Sequence, residues 1–315
     1  MKRYNAIIIT GACGYIGYQT LLFFLKKKYL IIAIDRNKKS KRIVQNKFVK
    51  YYFSDFAKKK TLNNIFSKYK IIGVIHLAAS TNVVESNLNK KDYFINNYTK
   101  TVNLFEYSKK NHVTSFVFAS SAAIYTEKNH RSFIRPNNYY GITKYKAENY
   151  IVKNSKDKIF YSILRYFNVY GVDRYNENHP NNNNSLFSNL LFSKKKIISL
   201  YYKKKNKKNF FPTRSFVHVK DVARLNYLAF LNNIKRKSFA ENIGNKISYD
   251  IRKIIRYFNS FLQIKYKINY CPKNFKNELL NSKFFLINKK QFKYNLKFND
   301  LKKNIKEVIL YKNIN

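Results

Sequence analysis

The segment from Ala6 to Asp35 constrains the fold more than any other part of the chain. A β-branched run, Ala6 to Thr10 (AIIIT), stops at a turn punctuated by Gly11, Gly14 and Gly17. Apolar residues in helical spacing follow from Gln19 to Lys28, and a second apolar strand, Tyr29 to Ile34, closes on Asp35. Glycines at this spacing let the chain turn tightly after a strand, approach a diphosphate with bare backbone, and pack a helix close to the strand. The helix that follows the turn offers unpaired N–H groups and a positive dipole end to phosphate. An acid at the end of the second strand is placed to accept hydrogen bonds from a ribose diol. Strand, glycine turn, helix, strand and acid together predict a dinucleotide site. Asp35 would repel a 2′-phosphate and so favours NAD over NADP, a preference that Arg36 weakens slightly.

Further strands are expected at Ile71–Leu77, Ser115–Ala119 and Ile159–Arg165, alternating with polar helical stretches. That alternation predicts an α/β chain with a Rossmann-type, doubly wound parallel sheet and helices on both faces. Residues 1–172 are read as the dinucleotide-binding domain, to which the chain returns around 213–235. Past residue 172 the texture changes. Asn176 to Asn184 (NENHPNNNN) is polar and turn-rich, and a strand at Ser215–Val219 and a helix from about Val222 follow. Residues 173–315 are read mainly as a smaller C-terminal substrate-binding lid.

A net charge of +47 raises the question of a polyanionic partner. The lysines are spread along the whole chain and accompany an excess of Asn, Ile, Tyr and Phe, with no Trp and only seven Gly. All the enriched residues have A/T-rich codons, so compositional drift accounts for the charge and no specific nucleic-acid partner is expected. Lys203 to Lys208 (KKKNKK) is read as a solvated loop. The apolar runs are too short to span a bilayer, and Ala6–Thr10 is too short for a signal-peptide core. A cytoplasmic protein without a membrane partner is expected. Cys13 and Cys271 lie far apart, without metal-ligand spacing, and are read as reduced thiols with no metal.

Tyr140 and Lys144 stand one helical turn apart (YGITK) and face the same way. An ammonium near a phenol, together with the positive nicotinamide ring of the expected cofactor, stabilises the phenolate and lowers its pKa, so that tyrosine can take a hydroxyl proton. Ser120 and Ser121 end the strand at Ala119, and Ser121 is the better candidate to hold the same hydroxyl. Asp55, in Tyr52-Phe-Ser-Asp55, is a candidate for the adenine edge.

These motifs resemble the extended short-chain dehydrogenase/reductases, and most of all the UDP-glucose 4-epimerase branch of that family. The matching segments are TGACGYIG, HLAASTNVVES at 76–86, the pair at 96–97, SSAAIY at 120–125, YYGITK at 139–144, LRYFNVYG at 164–171 and RSFVHVKDVA at 214–223. They run in family order over roughly the first 225 residues. The resemblance implies NAD as cofactor, contacted by Gly11, Gly14, Tyr15, Ile16, Gly17, Asp35, Asp55, Ala78, Ala79, Asn97, Tyr140 and Lys144. It implies Tyr140 as base, Lys144 as its partner and Ser121 as the contact to the substrate hydroxyl. Asn168, Asn184 and Arg214 would bind the nucleotide-sugar substrate, and the protein would be a homodimer through helices around Asp92–Lys110 and Thr143–Lys153. The implied reaction interconverts UDP-glucose and UDP-galactose through a 4-keto sugar. Ala122 and Ala123 offer no carboxyl group for eliminating water, which sets the chain apart from dehydratase relatives. Thr81, where a lysine is usual, and Ser215, where an acid is usual, depart from the pattern. Lys276 is the nearest candidate for a missing diphosphate-binding arginine. Another nucleotide-sugar epimerase or reductase, or a non-catalytic protein on the same fold, remains the alternative.

Overall fold

The computed structural model describes residues 5–128, 131–156, 158–171, 186–187, 190, 197–205, 207–262, 265–273, 281–282 and 300–314. The chain divides into two compact units, Met1–Tyr166 with Val222–Asn242, and Phe167–Asp221 with Ile243–Asn315.

The first unit is built on β1 (Asn5–Thr10), β2 (Leu30–Asp35), β3 (Val49–Phe53), β4 (Lys70–His76) and β5 (Ser115–Ser121), joined by Phe160–Tyr166 and Phe239–Ile243. Across the sheet the order is Phe239–Ile243, Phe160–Tyr166, β5, β4, β1, β2, β3. β1 pairs in parallel with both β2 and β4, and β5 pairs in parallel with β4 and Phe160–Tyr166. The strand order reverses at β1, between β2 and β4, which makes the carboxyl ends of β1 and β4 the topological switch point. Ala6 to Thr10 are fully buried, as expected of parallel strands covered on both faces.

Helices α1 (Tyr15–Lys26), α2 (Lys59–Lys68), α3 (Val83–Leu88), α4 (Lys90–Phe94), α5 (Lys100–Lys110) and α6 (Tyr139–Ser155) supply the connections. One face of the sheet packs Ile8, Ile34, Phe116 and Phe118 with Leu104, Phe105 and Ile151 of α5 and α6. At another packing surface Phe24, Tyr29, Tyr227 and Phe230 make edge-to-face ring contacts. There Gly73 of β4 is required by close approach, because a Cβ would come within 2.6 Å of the Phe230 ring. α4 and α5 are joined by a π turn, Ile95–Thr99, which buries both Asn96 and Asn97.

α1 begins at Tyr15, four residues before the apolar pattern suggests, because the turn geometry at Gly14 (φ −75°, ψ 170°) starts the helix. β3 and Phe239–Ile243 carry no clear alternation and were not anticipated. β3 is paired on one side only and half-buried, so its side chains follow no strict in-and-out pattern.

In the second unit Thr213–His218 pairs in parallel with Asn168–Tyr170 and Asn281–Ser282, and antiparallel with Ser248–Asp250. Ile197–Lys205 lies parallel to Lys267–Pro272. Its core gathers Tyr170, Phe216, Ile254, Ile255, Phe258, Leu301 and Ile305, with helices Ile251–Phe261 and Leu301–Ile314 packed on it. The expected loop at Lys203–Lys208 is corrected. Lys203 to Lys205 end a strand and pair with Lys208–Phe210 as a hairpin, since exposed lysine stems suit an edge strand as well as a loop. The expected turn segment Asn176–Asn184 lies outside the described residues.

Candidate active site

The glycine turn sits at the switch point. Gly11 has φ +66°, and a Cβ there would also meet the Ala78 backbone at 2.9 Å, so both conformation and space demand glycine. At Gly17 a Cβ would lie 1.9 Å from the Gly11 carbonyl oxygen, and this lets α1 pack directly on the turn. Gly14 is exposed, and its Cβ position meets only the Gly11 oxygen, at 3.1 Å. α1 has no capping side chain and no acid in its first turn, where Tyr15 and Ile16 are half-buried. An open backbone cradle at a helix N-terminus is what a diphosphate requires.

Asp35 is aimed at the same turn. One carboxylate oxygen accepts the Cys13 N–H at 2.9 Å and the other accepts the Asn37 N–H at 2.9 Å. Two bonds hold the group in place and leave lone pairs for a diol. Cys13 is a buried cysteine outside any disulfide, and burial, with the Asp35 charge, pushes its thiol up to about 12.

A buried hydrogen-bond chain joins the strands behind the turn. Thr101 gives its hydroxyl proton to the Asn97 carbonyl at 2.8 Å, so it accepts from His76 Nε2 at 2.8 Å. That leaves His76 Nδ1 to accept from Thr10 Oγ1 at 2.7 Å. Thr10 Oγ1 in turn accepts the N–H groups of Leu77 and Ala78, each at 3.2 Å. Burial first, and then the Lys144 charge, hold His76 well below the usual histidine range, consistent with one neutral tautomer. The half-buried loop through Ala78 and Ala79 is clamped next by Asn97, whose side chain accepts from Ser80 N and donates to Ser80 O, both at 2.8 Å. Asn97 therefore shapes this loop rather than presenting its amide to open space. The π turn makes that possible by bringing two successive asparagines inward.

Asp55 is held by Lys100 Nζ at 2.5 Å and by the Ala57 N–H at 3.0 Å. Burial alone would raise its pKa, but the Lys100 bond and its charge outweigh that and hold the carboxyl below its usual range. Each oxygen of Asp55 thus has one partner in the protein.

β5 and α6 bring the third group together. Ser121 ends β5 and its Oγ accepts the Ala123 N–H at 3.2 Å. Gly141 allows α6 to approach that turn, since a Cβ there would lie 2.2 Å from the Ala123 oxygen. Asn138 caps α6 by accepting the Gly141 N–H at 2.8 Å, and Ser86 accepts the Tyr140 N–H at 3.0 Å. Tyr140 is thereby set beside Ser121, whose hydroxyl favours the phenolate. Lys144 Nζ donates to the Ala119 carbonyl at 2.7 Å and lies 5.9 Å from the centre of the Tyr140 ring. The protein's own groups leave the Tyr140 pKa raised. Burial raises it to about 12 against the smaller effect of Ser121, while the ammonium is turned to a carbonyl and not to the phenol oxygen. Burial likewise drives Lys144 down to about 7, opposed by Glu148.

Residues 7–244 match the NAD dependent epimerase/dehydratase family. The chain belongs to this family. Members and relatives at the level of sequence include the UDP-glucose 4-epimerase of Caenorhabditis elegans, 29% identical over 79% of this chain and 81% of that one. The bifunctional protein gal10 of Schizosaccharomyces pombe is 29% identical over 76% of this chain, a match that spans only 37% of that protein's length. In fold, the chain is similar to a UDP-glucose 4-epimerase crystal structure from Thermotoga maritima solved with UDP-glucose. The TM-score is 0.81, with 21% identity and coverage of 98% of this chain and 99% of that one.

Within this epimerase/dehydratase chain, Asn168 and Arg214 lie on paired parallel strands of the second unit. Asn168 Nδ2 donates to the Ser215 carbonyl at 3.0 Å, beside Arg214, whose guanidinium donates to the Thr213 carbonyl at 2.9 Å. Ser215 is fully buried and donates to the Asn245 carbonyl at 2.7 Å, a structural use for the residue that replaces the usual acid. Asn184 and Lys276 lie outside the described residues. The roles of Thr10 and His76 at strand ends, of Ser80 in a loop and of Thr101 in α5 were missed because single polar residues carry no periodic signal. Glu148 was legible in principle as the next i+4 position after Tyr140 and Lys144.

Proposed function

We propose that this chain is an isomerase that interconverts UDP-glucose and UDP-galactose with NAD. The observation that carries the reading is the assembly of Ser121, Tyr140 and Lys144 at the carboxyl end of β5, in the same unit as the glycine turn and Asp35. The open backbone at Gly14, the helix N-terminus at Tyr15 and Ile16, and the oriented Asp35 carboxylate fit a dinucleotide with a free ribose diol. NAD, held by the glycine turn and Asp35, would supply the hydride acceptor and donor for sugar C4. Tyr140 takes the C4 hydroxyl proton and later returns it, and Ser121 holds the same oxygen and shares its proton with Tyr140. A phenol near 12 needs positive charge close by to ionise near neutrality, and protonated Lys144 is the side chain placed to supply it. Ala122 and Ala123 leave no acid for elimination, so oxidation is followed by re-reduction and not by loss of water.

In this reading the first unit binds NAD and the second is the nucleotide-sugar lid, in which Asn168, Asn184 and Arg214 bind the substrate, Asn168 and Arg214 at its diphosphate. A homodimer in the cytoplasm goes with it. The exposed apolar side chains of Val84, Leu88, Ile95 and Val152 support a subunit contact, and sedimentation velocity tests it. Among the described residues no helix is long and apolar enough to cross a membrane.

Purified protein incubated with UDP-galactose and no added NAD should form UDP-glucose to an equilibrium mixture. Tyr140→Phe should abolish the conversion. Absence of conversion with NAD added, for N-acetylated sugars as well, overturns the reading. Stoichiometric consumption of reduced cofactor would indicate a reductase instead.

A further inference from the structure

Tyr140, Lys144 and Glu148 recur at four-residue spacing on α6, and the chemistry above uses only the first two. Glu148 is 2% exposed, yet its carboxylate is fully engaged. Oε1 accepts from Arg165 Nε at 3.0 Å and from the Ser120 hydroxyl, and Oε2 accepts from Arg165 Nη2 at 2.7 Å. Arg165 continues outward through Nη1 to the Tyr125 hydroxyl at 2.8 Å, which donates to Asn242 Oδ1 at 2.8 Å. Ser120 is the register partner of Arg165 and the neighbour of Ser121. One carboxylate thus ties α6 to β5 and to Phe160–Tyr166 at the level where Ser121 meets Tyr140.

A buried Arg–Glu pair can be scaffold alone, because desolvation offsets much of its attraction. The surroundings of Lys144 argue for more. Its ammonium sits 4.8 Å from the centre of the Phe118 ring and has a carbonyl as its hydrogen-bond partner. From β4 it faces His76, which is held neutral. From its own helix it faces Tyr140, a neutral phenol, and Glu148. Arg165, from the neighbouring strand, is a cation, and its charge acts on the Glu241 carboxyl. Glu148 is the anion within reach.

We propose that Glu148 is a positioning residue for this reaction, the counter-charge that keeps Lys144 protonated beneath Tyr140 while its bonds to Ser120 and Arg165 set the spacing of Ser121 and Tyr140. The proposal rests on the reading that Lys144 assists Tyr140. Burial pulls Lys144 toward neutrality, and the Glu148 charge opposes that pull. Without it, Lys144 would be uncharged over more of the working range, and Tyr140 would lose the cation that stabilises its phenolate.

The test is a pH titration of Lys144 by NMR of lysine side-chain nitrogen in the full chain, with its signal assigned by loss in Lys144→Met. Glu148→Gln keeps the shape and removes the charge, and should lower the Lys144 midpoint by about one pH unit, a tenfold change in proton affinity. Ser120→Ala keeps the charge and should leave that midpoint in place. In turnover, the alkaline limb of kcat should move to lower pH in Glu148→Gln by the same amount, with KM little changed. An unmoved Lys144 midpoint in folded Glu148→Gln overturns the proposal and leaves Glu148 as scaffold. Should that variant fail to fold around an unpaired Arg165, the double variant Glu148→Gln with Arg165→Met removes both charges. The midpoint should fall there too, and a midpoint that stays put is equally decisive against the proposal. The titration reads Lys144 whether or not the chain turns over UDP-sugars, so the proposal and the assigned activity fail separately.

Discussion

Glu241→Gln should make the protein less sensitive to pH and more stable above neutrality. Glu241 lies in Phe239–Ile243, is 1% exposed, and neither of its carboxylate oxygens completes a hydrogen bond among the described residues. Burial raises its pKa from 4.5 to about 7, and the nearby Asn242 backbone N–H and the Arg165 charge reverse only part of that rise. Below pH 4.5 the carboxyl is protonated in both folded and unfolded chains, and its contribution is fully present. As the pH rises, the unfolded chain releases the proton first while the folded chain keeps it, so stability falls until the folded group itself ionises near 7. Over the interval from pH 5.5 to 7 that loss is about 2 kcal/mol at roughly 1.4 kcal/mol per pH unit. Glutamine carries no such titration. Urea unfolding at fixed ionic strength is readable by tyrosine fluorescence, since the chain has 28 Tyr and no Trp. The stability of wild type relative to Glu241→Gln should decline by about 2 kcal/mol between pH 5.5 and 8, then level off. A difference that stays flat across that range would refute the assignment of a buried, protonated carboxyl.

Gly17→Ala places a Cβ against the Gly11 carbonyl, where only backbone movement could relieve the clash, so calorimetric NAD affinity should fall at least tenfold and thermal stability with it. Retention of both would mean that α1 can shift off the turn at little cost. Asn97→Ala leaves the Ser80 N–H and carbonyl without their shared partner, and unfolding free energy should drop by about 2–4 kcal/mol. The same variant should weaken NAD binding by disordering the Ala78–Ser80 loop, and unchanged hydrogen exchange at Ser80 would count against that role.

The parts of the site that were legible in the sequence are those whose chemistry is local. Gly11, Gly14 and Gly17 are dictated by steric demands within one turn, Asp35 by its place at the end of an apolar strand, and Tyr140 with Lys144 by helical spacing. The strands β1, β2, β4 and β5 could be read because parallel strands buried on both faces leave unbroken apolar runs. β3 could not, because an edge strand is exposed on one side and tolerates lysine and tyrosine without pattern, and the strand at Ile197–Lys205 could not, because its lysine-rich end reads as a loop. The aim of the Lys144 ammonium was not legible from spacing alone. Spacing places the ammonium on the correct face, but the Ala119 carbonyl decides where it points.

The sequence by itself determined the βαβ order, the NAD-type turn, the acid at Asp35 and the Tyr140–Lys144 pair, since each rests on backbone sterics or helical and strand periods within a few residues. Only the tertiary structure decided what surrounds them. It joined Thr10 to His76 and Thr101, set the Asn97 amide on the Ser80 backbone, and locked Glu148 to Ser120 and Arg165. Those partners lie 17 to 66 residues apart in the chain, and which pairs meet depends on strand register and helix packing. A buried polar group must find a partner wherever the fold places one, and nothing in its near neighbours along the chain says which residue that will be.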